Sequence, residues 1–341
     1  MRRRNVNWFR IQQGYASGSL ARVVVAVMVA LGVIALAGCA AGGGGGAQGG
    51  GGGEGPTIGV TIQNATNPFF KAEERGAQAA AKEIGAKVLF QHGNQDVATQ
   101  TEVVDTFIRQ QVDAIVIDAV DTQALGPAIE RAKQADIPVV AIDVGAEGAD
   151  VTITTDNVQA GEIACDYMAE YIGGKGQVGI LNGTPITSVT DRVKGCNQAL
   201  NRYPDIEVVA NQRSDNSRDG GLAVGGDMLT ANPGIRAIFA INDPGAIGVE
   251  LAAKQRDTTS RDELVLTAVD GAEEAAVSIK NLDGLMIATS AQDPEGMGRQ
   301  GVVAAAKLAA GEKVEPKTKL IPAKLITDKN VDSYEPWGEG T

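Results

Sequence analysis

The chain has 341 residues, enough for two domains, and 43% of them are hydrophobic, so it carries ample material for buried cores. Only 4% are aromatic, with Ala, Val, Ile and Gly in their place, which suits helices packed on parallel strands better than an aromatic-rich β-sandwich. The 30 Lys and Arg against 42 Asp and Glu give a net charge of −12, the wrong sign for neutralising nucleic-acid phosphates, and one histidine leaves little for a His-based metal or Ser–His hydrolase site.

Met1-Arg2-Arg3-Arg4 opens the chain, Arg10 and Arg22 follow, and no acid precedes Glu54. The apolar run over residues 23–37 has the length of a signal-peptide core and is shorter than the roughly 20 residues of a membrane span. It ends Leu36-Ala37-Gly38-Cys39, which resembles the lipobox of bacterial lipoproteins. Residues 1–38 would then be a lipoprotein signal peptide and Cys39 the lipidated N-terminus; an ordinary signal peptide with a chance cysteine is the alternative. Residues 39–55 form a Gly-rich tether with flexible-coil dimensions, in which a G-x-G-x-x-G match carries no information because the segment is nearly all glycine. Removing 1–38 takes away five arginines, leaving a still more acidic mature domain tied to the outside of a membrane.

Beyond residue 56, strand and helix alternate. Residues 57–63 (TIGVTIQ) predict a strand, and Asn67-Pro68 opens a helix to about residue 84, with Asn67 as N-cap and Pro68 at the first helical position. Gly85 stops it, a strand follows over 87–91, a helix over 97–111, a strand over 114–118, a helix over 123–135 and a strand over 138–143. A second series begins with a strand over 151–155 and a helix over 158–172, and continues with strands at 177–181, 207–211, 237–241, 264–269 and 285–290 separated by helices, the last helix spanning 295–310. Strands separated by helical stretches of this length argue for βαβ units and parallel sheets, here two doubly wound α/β halves. The tail after residue 318 contains LIPAKLI, an apolar stretch suited to one more strand.

In open α/β sheets, ligands bind outside the carboxyl ends of the strands. Gln63, Asp143, Asn242, Asp270 and Gln292 end or follow predicted strands, and Arg192 lies in the first turn of a predicted helix. Amide, carboxylate and guanidinium groups from both halves thus converge on one face, a set able to bond a ring of hydroxyls through planar donor and acceptor pairs. Phe69 and Phe70 are adjacent aromatics in an aromatic-poor chain. They offer either a surface for stacking on the apolar side of a sugar ring or a core contact at the helix start. Cys165 and Cys196 fall in predicted helices of the second half; in an oxidising compartment they form either a disulfide or two buried small apolar side chains.

TNPFF (66–70), VVAID (139–143), TTDN (154–157), DRVKG (191–195), FAIND (239–243), AVDG (268–271) and SAQDP (290–294) occur in the order and spacing of the periplasmic sugar-binding proteins of the ribose-binding type, which this chain resembles. The resemblance implies the type I periplasmic binding protein fold: two Rossmann-like domains joined by a three-stranded hinge, with sugar in the cleft between them. The N-terminal lobe would be 57–155 plus 293–318 and the C-terminal lobe 156–292 plus 319–341, with crossings near Thr155, Ala291 and Lys319. Asn67, Asp143, Arg192, Asn242, Asp270 and Gln292 match the family's hydrogen-bonding set, and Phe69 and Phe70 its stacking aromatics. Three positions depart from the ribose pattern. Val144 stands where an arginine is expected, Asn216 where a second-domain phenylalanine is expected, and Gln63 where a serine is expected. These changes argue against ribose bound in the standard way and leave another pentose or a hexose, fructose included, equally open.

The resemblance implies a monomeric receptor without cofactor, metal or catalysis, delivering a monosaccharide to an ABC permease and its ATPase. A transcriptional regulator of the same fold would need an N-terminal helix-turn-helix where the leader and tether stand. An enzyme would need a nucleophile elbow or a phosphate loop, and Gly173-Gly174-Lys175-Gly176 has neither the spacing nor the hydroxyl residue after lysine. Presentation of a sugar-like signal to a sensor is the remaining rival.

Overall fold

The computed structural model describes residues 55–281 and 283–337; the leader, Cys39 and the tether up to residue 54 lie outside the described residues. The chain runs β1 (Thr57–Ile62), α1 (Pro68–Ile84), β2 (Lys87–His92), α2 (Val97–Arg109), β3 (Ala114–Ile117), α3 (Gly126–Gln134), β4 (Val139–Ile142) and β5 (Val151–Thr155). It then crosses to a second lobe through α4 (Asn157–Tyr171), β6 (Lys175–Asn182), α5 (Thr187–Leu200), β7 (Asp205–Arg213) and α6 (Arg218–Ala231). That lobe continues with β8 (Ile235–Ala240), α7 (Asp243–Lys254), β9 (Val265–Asp270), α8 (Glu273–Lys280) and β10 (Met286–Ala291). Helix α9 (Pro294–Ala309) returns to the first lobe, followed by the short strands β11 (Thr318–Ile321) and β12 (Lys324–Thr327).

Two six-stranded sheets result, in the orders β11-β5-β4-β3-β1-β2 and β12-β10-β9-β8-β6-β7. Every pairing is parallel except β12 on β10. The central strands β3 (AIVI) and β4 (VVAI) are buried along their whole length, as a parallel sheet covered by helices on both faces requires. The strand order reverses between β1 and β3 in the first sheet and between β6 and β8 in the second, which opens a crevice at their carboxyl ends.

The tail departs from expectation. Strand β11 pairs with β5 in the first sheet, Thr318 opposite Thr152, although residues from 319 onward were expected in the second lobe. Pro322 is the reason: proline cannot donate to a ladder, so LIPAKLI breaks into two short edge strands, one for each sheet, and the third crossing falls at residues 322–323.

Local chemistry sets the helix ends that matter. Asn67 caps α1 by accepting from the Phe69 amide at 2.9 Å, with Pro68 at the first helical position. Helices α4 and α5 lie unusually close: a Cβ on Gly161 would run into the Arg192 carbonyl, and one on Gly195 into that of Val158. Across the same contact Cys165 and Cys196 form a disulfide, with Cα atoms 5.0 Å apart. No helix among the described residues is long and apolar enough to cross a membrane.

Candidate functional site

The two switch points face each other, and a small chamber of about 60 Å³ lies between them. Gln63, Asn67, Phe69, Phe70, Asp143, Arg192, Asn216, Asn242, Asp270 and Gln292 all line it, together with Gln95, Ile186, Ser188, Val189 and Ile241. A wider cleft of about 560 Å³ adjoins it, sharing Asn67, Gln95, Asn216 and Asp270 and bordered by Trp337.

The two lobe aspartates are presented by backbone geometry. Asp143, past the end of β4, has φ +52°, and Asp270, closing β9, has φ +143°, both in the region that side-chain-bearing residues rarely adopt. The turn at Asp143 is held by its own amide donating to the Ile153 carbonyl and by the Thr154 hydroxyl donating to the Asp143 carbonyl at 2.6 Å. The turn at Asp270 is held by Asp243, whose carboxylate accepts from the amides of Gly271 and Ala272 and from the Thr289 hydroxyl.

Arg192 lies between them. Its Nε donates to Asn157 Oδ1 at 2.8 Å, its Nη1 donates to the Ile241 carbonyl at 2.9 Å, and Nη1 stands 3.5 Å from Asp270 Oδ1. Burial pushes the Asp270 carboxyl up to about 6, against the opposing pull of Arg192. Burial likewise raises Asp143, again opposed by Arg192. One guanidinium thus serves two buried carboxylates, which leaves them able to accept from further hydrogen-bond donors.

The amides divide into donors and acceptors already committed and those facing the chamber. Gln292 donates to Asp270 Oδ1 at 2.8 Å and accepts from the Thr155 hydroxyl at 2.7 Å. Gln63 donates from Nε2 to Asp118 Oδ1 at 3.0 Å. Asn242 caps α7 through Gly245 and donates to the Asn216 carbonyl at 2.8 Å. Asn216, at φ +65°, pins the neighbouring loop by exchanging hydrogen bonds with the Thr184 amide and hydroxyl. Asp143 Oδ1 is buried and has no donor among the described residues.

Phe69 and Phe70 meet edge to face, with centroids 5.6 Å apart, and both are buried in the first-lobe core as well as lining the chamber. The core contact holds for both rings, and both also border the chamber. Opposite them the second lobe offers the aliphatic side chains of Ile186, Val189 and Ile241. Trp337 packs edge-on against Phe69 at 5.4 Å and donates from its indole to the Asp270 carbonyl at 3.0 Å, linking the tail to both lobes. Sequence reasoning passed over Gln95, Ser188, Asp118 and Trp337. Asp118 directly follows a buried strand, the signal that found Asp143, and Trp337 is the only tryptophan beyond Trp8. Gln95 and Ser188 lie on loops and a helix start, where sequence carries no such mark. Among the described residues no group of three or more His, Cys, Asp or Glu side chains is disposed to hold a metal ion.

Two lobes of parallel α/β structure around a polar cleft define a solute receptor. The family profile described as the periplasmic binding protein domain matches residues 58–313, and the chain belongs to that family. It is 36% identical over 276 residues to the ribose import binding protein RbsB of Bacillus subtilis, covering 80% of this chain and 88% of that protein. It is 32% identical over 281 residues to the xylitol-binding protein of Mycolicibacterium smegmatis, covering 81% of this chain and 78% of that one. Among solved structures, a periplasmic solute-binding protein of an ABC transporter from Actinobacillus succinogenes with bound D-allose superposes with a TM-score of 0.76 at 28% identity, covering 82% of this chain and all of that one. The chain is a periplasmic sugar-binding protein of the ribose-binding type, a binding protein and not an enzyme, and its place is extracytoplasmic.

Proposed function

We propose that the protein captures one monosaccharide or small linear polyol between its lobes and delivers it to the permease of an ABC importer. The observation that carries this reading is the Arg192–Asp270–Gln292 cluster facing Asp143, Asn67 and the Phe69–Phe70 pair: planar hydrogen-bonding groups around the edge of a slot with apolar faces. A sugar presents this pattern in reverse, hydroxyls at its rim and C–H groups on its faces. Asp143 Oδ1, without a donor among the described residues, is an acceptor for one hydroxyl.

The relatives named for ribose and xylitol, and the neighbour with D-allose, support a small polyhydroxy ligand and leave its identity within that class. Val144 and Asn216 weigh against the standard ribose mode, since neither brings a guanidinium or an aromatic face. Three chain crossings make a hinge, and a ligand touching both lobes biases closure by its differential affinity for the closed form. We read the leader and Cys39 as a lipid anchor and the receptor as a monomer that carries no cofactor.

The test is thermal unfolding of the purified protein, first unfolded and refolded to strip copurified sugar, against ribose, xylitol, allose, arabinose, fructose and a set of amino acids. A ligand at 100 times its dissociation constant adds about 2.7 kcal/mol. One polyhydroxy compound is expected to raise the midpoint, and Asp270→Ala to abolish the shift. An amino acid acting instead would overturn the reading. Presentation to a sensor is separated from import by measuring uptake of the identified sugar in a deletion strain.

A further inference from the structure

After its third crossing the chain spans the two lobes once more. Strand β12 ends in the second sheet, and Asn330 holds the turn behind it, accepting from the Thr327 amide at 2.8 Å and donating to the Leu325 carbonyl at 2.9 Å. Val331 is buried in the second-lobe core, and Tyr334 packs against that core. Trp337 packs instead against the core of the first lobe. The segment from Tyr334 to Trp337 is thus a strap that bridges the lobes without belonging to either sheet.

Both aromatic residues of the strap bear on the turn that presents Asp270. The Tyr334 hydroxyl donates to the Gly271 carbonyl at 2.7 Å, and the Trp337 indole donates to the Asp270 carbonyl at 3.0 Å. Gly271 has φ +86°, and a Cβ there would run into the Tyr334 hydroxyl, so glycine is what lets the strap lie against the turn. Asp243 secures the amides of Gly271 and Ala272, and the strap secures the carbonyls. On the first lobe, the Trp337 ring meets Phe69 edge to face at 5.4 Å, and the Trp337 carbonyl accepts from Arg75 of α1 at 2.8 Å. Trp337 borders the wider cleft and not the chamber, yet it touches a chamber-lining residue of each lobe.

We propose that Trp337 is a positioning residue of the ligand site and the clasp of the closed receptor. Its indole N–H holds the backbone that aims the Asp270 carboxyl, and its ring fixes Phe69 of the opposite lobe against the same side chain. The two walls of the chamber therefore meet a ligand in register. Val331 and Tyr334 anchor the strap to the second lobe, so opening parts Trp337 from Phe69 and Arg75. The strap adds to the closed form an interaction that the ligand does not supply, which raises the closed population and slows release. Only the class of ligand released rests on the sugar-binding reading; the hold of Trp337 on the Asp270 turn does not.

The test is amide hydrogen exchange at two places, in wild type, Trp337→Ala and Trp337→Phe. The amides of Gly271 and Ala272 report on the Asp270 turn. Closure is reported at a lobe-to-lobe contact that the strap does not touch, where the Gly145 amide donates to the Thr187 hydroxyl at 2.8 Å and the Thr187 amide to the Thr122 hydroxyl at 3.2 Å. In the unliganded protein, Gly271 and Ala272 should exchange about three to ten times faster in both variants, since neither keeps the indole donor. With D-ribose, xylitol or D-allose bound, Gly145 and Thr187 should exchange about tenfold faster in Trp337→Ala, and the sugar should leave faster by the same factor. Trp337→Phe keeps a ring against Phe69 and should hold both closure readings near wild type; it also decides the turn if Trp337→Ala does not fold. The amides of β3 should exchange alike in all three proteins. Wild-type exchange at Gly271 and Ala272 in both variants, wild-type exchange at Gly145 and Thr187 in sugar-bound Trp337→Ala, or equal acceleration at β3 overturns the proposal. If none of the three sugars moves the thermal midpoint, the sugar reading fails by itself, and the unliganded exchange at Gly271 and Ala272 still decides the role of Trp337.

Discussion

The Thr155 hydroxyl donates to Gln292 Oε1 at 2.7 Å. Thr155 ends β5 where the chain first leaves the first lobe, and Gln292 follows β10 where it returns, so one buried hydrogen bond ties two of the three hinge strands. Gln292 in turn orients Asp270. Hinge and ligand site therefore share a side chain.

Thr155→Val is expected to destabilise the protein by about 1–3 kcal/mol, because Gln292 Oε1 is left buried without a donor. The same variant should weaken sugar binding by loosening Asp270. Urea unfolding and titration of the identified sugar give the two numbers; a stability loss with unchanged affinity would separate hinge from site.

Ligand affinity should fall as pH drops below about 6, where Asp270 gains its proton, loses the charge that faces Arg192 and can no longer accept from Gln292 and a sugar hydroxyl as a carboxylate. The unliganded protein should show the opposite trend. The folded-state value is raised, so the folded form holds more protons than the unfolded one. This contribution to stability is fully present below the ordinary aspartate value and is lost as pH rises through about 6. Thermal midpoints with and without saturating sugar across that window check both signs.

Arg192→Met removes the cation shared by Asp143 and Asp270. Binding should fall at least about a hundredfold, and the variant should unfold more easily by roughly 3–5 kcal/mol, since breaking a buried pair leaves carboxylates uncompensated. Arg192→Lys should recover little, because a point charge cannot serve Asn157, the Ile241 carbonyl and Asp270 in one plane.

Reduction, or Cys165→Ser with Cys196→Ser, opens a cross-link of sequence separation 31. The chain-entropy model expects a loss of roughly 3–4 kcal/mol. Because α4 and α5 carry Asn157 and Arg192, ligand affinity should also fall under reducing conditions, measurable by unfolding with and without reductant.

The alternation of strand and helix was legible because parallel βαβ units write their period plainly, and polar residues such as Asp143 and Asp270 stand out directly after apolar strands. Two things were not. LIPAKLI has the composition of one strand, and only the ladder shows that Pro322 divides it between sheets. Glu73 lies in a helix whose sequence AEERGAQ gives it the same look as the half-buried Glu74; which of the adjacent acids is fully buried depends on α1 packing against α9. Asn216 shows the converse: its side chain does line the chamber, yet its amide is spent on Thr184.

The interleaving of the chain has a bearing on how the protein is made. Helix α9 and strand β11 close the first lobe, yet they are synthesised after the whole of the second. Strand β12, the edge of the second sheet, comes later still. A polypeptide exported N-terminus first cannot finish either lobe while its final segments are on the other side of the membrane. In such a polypeptide the two short strands on either side of Pro322 are the last pieces of both lobes to reach their sheets.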